Sequence, residues 1–307
     1  MPERIENETT REDAKNGRSV DRADAEYPVG LREVPDAPET LRVRGRLRDD
    51  DALAVAIVGA RRATFYGLDV AERLAADLAA RGVTVVSGLA RGIDAAAHRG
   101  ALRVGGRTIA VLGSGADVIY PPEHRTLAAE IAEHGALISQ FAPGTPPLPQ
   151  NFPARNRVIA ALSLAVVVVE AAERSGSLIT ARVAAELGRE VLAVPGRITT
   201  PESRGANRLI QDGAGVAMGW EDVIAVLPER WKRRVAPAAR GPAADDGRPA
   251  AAHPLLALLG EEPVDIDLVI ERSGLGAGPV SAALLELELA GRVRQIEGKR
   301  FVRVGRG

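Results

Sequence analysis

Residues 53–88, "LAVAIVGARRATFYGLDVAERLAADLAARGVTVVSG", decide how the chain folds. The stretch opens on an apolar run with no polar interruption, the pattern of a strand covered on both faces. A turn with a glycine and two arginines follows. The chain then enters a segment whose apolar residues recur at helical spacing and which ends in glycine. A second apolar run, "VTVVSG", closes the unit. Strand, helix and strand in this order form one β-α-β crossover between parallel strands.

The same alternation continues through "TIAVLG" (108–113), "ALISQF" (136–141), "LAVVVVE" (164–170), "EVLAVPG" (190–196) and "AGVAM" (214–218). Seven short apolar runs separated by amphipathic segments predict an α/β fold over 53–228, with a doubly wound, mostly parallel sheet. The flanks read differently. Residues 1–26 are too polar to bury the surface that would offset the entropy of ordering, so a disordered tail is expected. Residues 27–52 form a lead-in segment with a few apolar anchors. Residues 229–252, rich in proline, alanine and charge, read as a linker. In 253–304, three short amphipathic segments precede "RVRQIEGKRFVRV", two alternating strands around a Glu-Gly turn. Three helices and a hairpin make a small C-terminal winged helix.

Composition excludes several function classes. The chain has 307 residues and a formal charge of −1, so an electropositive site must be local. It has no cysteine, which removes disulfides, thiolate metal sites and cysteine nucleophiles. No apolar run approaches the roughly 20 residues of a membrane-spanning helix, and a soluble cytoplasmic protein is expected. Basic residues are nearly all arginine; the lysines are Lys15, Lys232 and Lys299.

In open parallel sheets, ligands bind beyond the carboxyl ends of the strands. Here those ends carry "VGARRATFYG", "SGLARGID", "LGSGADVIYPPEH", "QFAPGTPPLPQNFPARNR", "EAAERSGSLITA" and "PGRITTPESRGAN". Any single glycine is explained by a tight turn. Glycine together with arginine or hydroxyl at most of the ends points to an anion. Five of the nine aromatics, Phe65, Tyr66, Tyr120, Phe141 and Phe152, also fall there, with Phe65 and Phe141 the first candidates for core positions. Guanidinium forks for phosphates beside ring faces for bases suit single-stranded nucleic acid, with stacking contributing roughly 1–3 kcal/mol per base.

Rival chemistries are thin. The first turn is not Gly-x-Gly-x-x-Gly, and no Gly-x-x-x-x-Gly-Lys occurs, so no cofactor is expected. The four histidines, His98, His124, His134 and His253, lack metal-ligand spacing. Ser175 and Ser177 near Glu170 and Glu173 suggest hydrolysis, but a helix N-cap explains either serine. Asp94 opens a helix, where a carboxylate is favourable for structural reasons.

Together with "YPVGLREVPDAPETLRVRG" (27–45), the strand-end motifs resemble the bacterial DNA-processing DprA family, also called Smf, over 27 to about 228. The resemblance implies an extended Rossmann-like fold that binds single-stranded DNA without catalysis. It further implies a homodimer that helps load the recombinase RecA during natural transformation. It makes Arg61 a phosphate contact and places Phe152, Arg155, Asn156 and Arg157 in the DNA groove. Arg155, Asn156 and Arg157 read as preceding a helix that leads into the strand near Leu164, which sets them at the crevice rim near Arg61, with Arg157 as a strut salt-bridged to Glu170 or Glu173 as the alternative. Gly59, Gly88, Arg91, Gly113, Ser114, Gly115, His124, Gly176, Ser177 and Thr180 line the same crevice on this reading. Two features depart from the family. The polar first 26 residues cannot form the small helical domain many members carry, and no lysine lies between 53 and 228. The third helix of the winged unit, "GPVSAALLELELAG", holds two glutamates and no cation, which favours a protein-contact or regulatory role. The alternatives are a hydrolase of the phosphoribohydrolase type, whose Pro-Gly-Gly-x-Gly-Thr turn is replaced here by "AERSGSLITA", and a small-nucleotide sensor.

Overall fold

A computed structural model of the chain describes residues 17–237, 253–260, 262–289, 291–296 and 298–303, which form two compact units. In the first unit all seven expected runs are strands: β3 (Ala54–Val58), β4 (Thr84–Ser87), β5 (Thr108–Val111), β6 (Ala136–Ser139), β7 (Ala165–Val168), β8 (Glu190–Ala193) and β9 (Gly215–Val216). Two strands precede them, β1 (Arg18–Asp21) and β2 (Thr40–Gly45). The sheet order is β1-β2-β6-β5-β4-β3-β7-β8-β9. Pairing is parallel from β6 to β9, and β1 and β2 extend the sheet antiparallel.

The crossover helices are α1 (Phe65–Ala79), α2 (Ile93–Arg103), α3 (Arg125–His134), α4 (Asn151–Leu162), α5 (Ser177–Glu186) and α6 (Arg204–Gln211), followed by α7 (Trp220–Ala225). Alternate residues of β3 enter opposite cores. Val55 and Ile57 pack with Leu74, Leu78 and Ala97 of α1 and α2. Ala54, Ala56 and Val58 pack with Val158 and Ile159 of α4 and Ala184 of α5. This two-sided burial is why the strand is apolar at every position. Winding reverses at β3, whose parallel neighbours are β4 on one side and β7 on the other. The carboxyl ends of β3 and β7 therefore flank the switch point where such sheets hold ligands.

Two expectations are corrected here. The tail expected through residue 26 is ordered from β1 onward: Val20 is 1% exposed, and Tyr27 is buried with its hydroxyl donating to the Pro38 carbonyl. One apolar residue and a four-residue ladder hold an edge strand that composition does not reveal. Residues 1–16 lie outside the described residues. The apolar anchors of the lead-in include Leu41 and Val43, which β2, paired with β6, carries into the core. The linker begins later than 229: Glu229–Lys232 forms a helical turn, and Trp231 and Val235 pack on the core. Residues 238–252 are again outside the described residues.

In the second unit, a 3-10 turn (Pro254–Ala257) stands in place of the first expected helix. It is followed by β10 (Val264–Asp265), α8 (Ile266–Ser273), α9 (Ala277–Leu289) and the hairpin β11 (Val293–Ile296) and β12 (Arg300–Arg303). Asp265 caps α8 by accepting from the Asp267 amide at 2.9 Å. Leu255, Leu256, Val269, Val280, Leu284, Val293 and Phe301 form its core.

Candidate nucleic-acid interface

A crevice of about 800 Å³ opens at the switch point. The turn after β3 lifts Arg61 and Arg62 into solvent on one wall. Phe152, in the first turn of α4, stands opposite, with the Arg61 guanidinium 5.0 Å from its ring centroid. Tyr120 lies 6.3 Å away, tilted by 50°. The ring rests on Gly113, where a Cβ would come within 2.9 Å of it; only glycine lets the aromatic sit there.

Three polar residues of α4 tie the strand ends together. Asn151 donates to the Gly113 carbonyl at 3.1 Å, and Asn156 donates to the Gly176 carbonyl at 3.2 Å. Arg155 is only 4% exposed and donates to the carbonyls of Gly88 and Val111 and to the Asn156 side chain. Asp94, also buried, accepts from the amides of Gly88 and Ala90 at 3.2 and 3.3 Å. Burial pushes the Asp94 carboxyl up against the opposing pull of Arg155, and burial pushes Arg155 down against the support of Asp94. A Cβ on Gly88 would lie 2.0 Å from the guanidinium, so this glycine is required by the strut. Between Gly88 and Ala90, Leu89 is held at φ +58 with no exposure, and His124 Nδ1 is 2.9 Å from its carbonyl. A leucine in the left-handed region marks a turn whose surroundings dictate its shape.

The expected trio thus divides. Arg155, Asn156 and Arg157 lie inside α4, not ahead of it. Arg155 is a buried strut whose ring-facing side lies 5.7 Å from Phe152. Asn156 lines the crevice. Arg157 is not at the rim near Arg61: its guanidinium pairs with Asp36 at 3.0 Å, and neither Glu170 nor Glu173 is its partner. Two residues along a helix are about 200° apart, so Arg155 and Arg157 cannot share a face.

Matches to known proteins identify the family. A family model described as DNA recombination-mediator protein A matches residues 18–228, and one described as the DprA winged helix domain matches 236–299. The chain belongs to the DNA recombination-mediator protein A family. It is 45% identical over 289 residues to Protein Smf of Escherichia coli K12, covering 92% of this chain and 77% of Smf. The solved DprA structure from Streptococcus pneumoniae aligns with TM-score 0.66 and 41% identity over 72% of this chain and 78% of that one. The Helicobacter pylori DprA structure, described as giving insight into a unique single-stranded DNA binding mode, aligns with TM-score 0.61 and 30% identity. That alignment covers 69% of this chain and 96% of that one.

The other predicted residues of this DNA recombination-mediator fold fall into three groups. Gly59, Gly176, Ser177 and Thr180 line the main crevice. Gly88, Arg91, Gly113 and Ser114 line a smaller adjoining pocket that also touches Arg61, Phe152 and Arg155. Gly115 and His124 line neither: Gly115 donates to the Thr145 carbonyl, and His124 is buried against Leu89. Arg91 is exposed and paired with Glu123 at 2.5 Å, which holds that carboxyl below its usual range. Ser175 and Ser177 act at a helix start, as the N-cap reading has it, but Gly176 occupies the cap position and Ser175 accepts from the Ser177 amide at 3.4 Å. Neither Phe65 nor Phe141 is fully buried. Two crevice cations, Arg62 and Arg174, went unassigned; their places in "GARRAT" and "EAAERSG" are the signal for both. Among the described residues, no group of three or more His, Asp or Glu could hold a metal, and no helix is long and apolar enough to cross a membrane.

Proposed function

We propose that the crevice binds single-stranded DNA through its phosphates and stacks a base on Phe152. We further propose that the protein acts without catalysis, in the cytoplasm and as a homodimer, delivering the strand to a RecA-type recombinase. The observation that carries the DNA reading is the Phe152 ring at the switch point, with an exposed guanidinium 5.0 Å away and strand ends fixed beneath it. Exposed Arg62 and Arg174 in the same crevice supply further phosphate partners. The H. pylori relative's single-strand binding supports the ligand class. Among the described residues β9 is an edge strand, and with Val216 40% and Met218 82% exposed this supports self-association.

The hydrolase alternative finds little support, because both buried carboxylates at the strand ends are engaged: Asp94 by two amides, Glu170 by Thr64. Anisotropy titrations with labelled oligothymidine and a matched duplex test the proposal. Preference for the single strand and a steep loss of affinity with salt are expected. Equal affinity for duplex, or release of adenine from AMP, overturns it. α9 exposes Leu285 and Glu286 and carries no cation, so deleting 253–307 is expected to leave most of the single-strand affinity.

A further inference from the structure

The turn that carries Arg61 is unusually well fastened for a surface loop, and one buried acid does most of the fastening. Glu170 lies two residues beyond the end of β7 and is 2% exposed. Its backbone carbonyl accepts from the Ala60 amide at 2.7 Å. Its carboxylate reaches the far end of the same turn, accepting from the Thr64 amide at 2.8 Å and the Thr64 hydroxyl at 2.5 Å. That hydroxyl in turn accepts from the Gly67 amide at 3.1 Å, which caps α1. Gly67 is a glycine for a reason: a Cβ there would lie 2.4 Å from the carboxylate.

From the other side, Ile93 donates to the Ala60 carbonyl at 3.2 Å, and Gly92, at φ +75, makes room for that oxygen. The turn is thus held at Ala60 and at Thr64, and between them Ala63 packs on the core while Arg61 and Arg62 project into the crevice. A fully engaged buried network of this kind fixes the geometry of whatever it carries. The acid also sits at the start of α1, where the helix dipole favours its charge.

We propose that Glu170, acting through Thr64, is a positioning residue that holds Arg61 over Phe152 for phosphate binding. This rests on the single-strand reading of the crevice and assigns the residue that makes it work. Two physical roles make opposite predictions. A carboxylate that merely stands near a polyanion repels it, so replacing it with a neutral amide strengthens binding. A carboxylate that sets the arginine's place weakens binding when replaced.

The test measures oligothymidine affinity of the full chain and its Glu170→Gln, Arg61→Ala and Glu170→Gln/Arg61→Ala variants. The expected result is a loss of roughly fivefold for Glu170→Gln, which shrinks below about twofold when Arg61 is already alanine, since coupled residues are not additive. Thr64→Val is expected to reproduce the loss and Thr64→Ser to restore binding, which keeps the test open if Glu170→Gln fails to fold. Unchanged or tighter binding by both Glu170→Gln and Thr64→Val overturns the proposal, as does the same loss with and without Arg61. If the unaltered chain does not bind, or Arg61→Ala binds normally, the single-strand reading itself fails. If Arg61→Ala weakens binding and the Glu170 and Thr64 variants do not, only the positioning role fails.

Discussion

The two ends of the central sheet use one device to different effect. At the amino ends, Arg107 is bound by the Asp51 carboxylate and also donates to the carbonyls of Arg46 and His134. Asp51 further accepts from Thr84 and from the Arg48 amide. At the carboxyl ends, Arg155 donates to the carbonyls of Gly88 and Val111, and nearby Asp94 accepts from the amides of Gly88 and Ala90. In each, an arginine and an acid staple strand ends with their polar atoms, and alone neither set says anything about function. The difference lies in the neighbours. Around Arg155 the chain leaves Arg61, Arg62 and Arg174 exposed along a crevice with an aromatic ring. On the proposed single-strand reading, the buried arginine is the mount and the exposed ones beside it the contacts.

The largest expected effect tests whether the two staples are equivalent. Arg107→Ala breaks the pair with buried Asp51, and Arg155→Ala takes the guanidinium from the buried Gly88 and Val111 carbonyls; each is expected to cost about 3–5 kcal/mol in urea unfolding. Of the two, only Arg155→Ala is expected also to weaken DNA binding of the folded protein. A cost for Arg155→Ala within about 0.5 kcal/mol, the range of ordinary surface changes, breaks the comparison.

Next come the exposed groups. Phe152→Ala is expected to lose about 1–3 kcal/mol of single-strand affinity. Arg61→Ala is expected to lower the salt slope by about one phosphate contact, with the melting temperature essentially unmoved. Measuring affinity at several salt concentrations, beside a thermal melt, separates binding from folding. A large drop in melting temperature for Arg61→Ala shows it to be another strut.

A pH effect belongs to the buried layer behind the crevice. His98 is fully buried with Nδ1 on the Thr108 hydroxyl, and Nε2 has no hydrogen-bond partner. Burial, aided by His124, pulls its pKa down from 6.5 to about 3. The unfolded chain therefore binds the extra proton between those values. The stability this histidine contributes is complete above pH 6.5 and lost as pH falls toward about 3, at up to about 1.4 kcal/mol per pH unit. Urea titrations at pH 7 and pH 5 are expected to show this loss in the unaltered chain and a smaller one in His98→Gln.

The smallest effect concerns Arg157. Its partner Asp36 is 76% exposed in its side chain, and such pairs contribute about 0–1 kcal/mol. Arg157→Ala is expected to leave DNA affinity unchanged and stability nearly so. A loss of affinity comparable to that of Arg61→Ala would place this face of α4 in the DNA path after all.

The strands from β3 to β7 were legible from the chain alone because residues buried on both faces must be apolar in succession, and β8 and β9, more exposed, because their short apolar runs continue the same alternation with helices. The switch-point turn and the aromatic at residue 152 were legible for a related reason: glycine, arginine and ring side chains at strand ends have no core role to explain them. Tertiary structure decided the rest. β1 exists because an open edge accepts a ladder, not because "RSVD" demands one. The start of α4 at Asn151 was hidden by Pro153, which reads as a breaker although the first helical turn tolerates it. With that start misplaced, the 200° between Arg155 and Arg157 went unseen. Which arginine is buried depends on carbonyls of Gly88 and Val111, 67 and 44 residues away in the chain, brought beneath it by the sheet. No local pattern records such partners, because burial of a charge is decided by what the fold places around it.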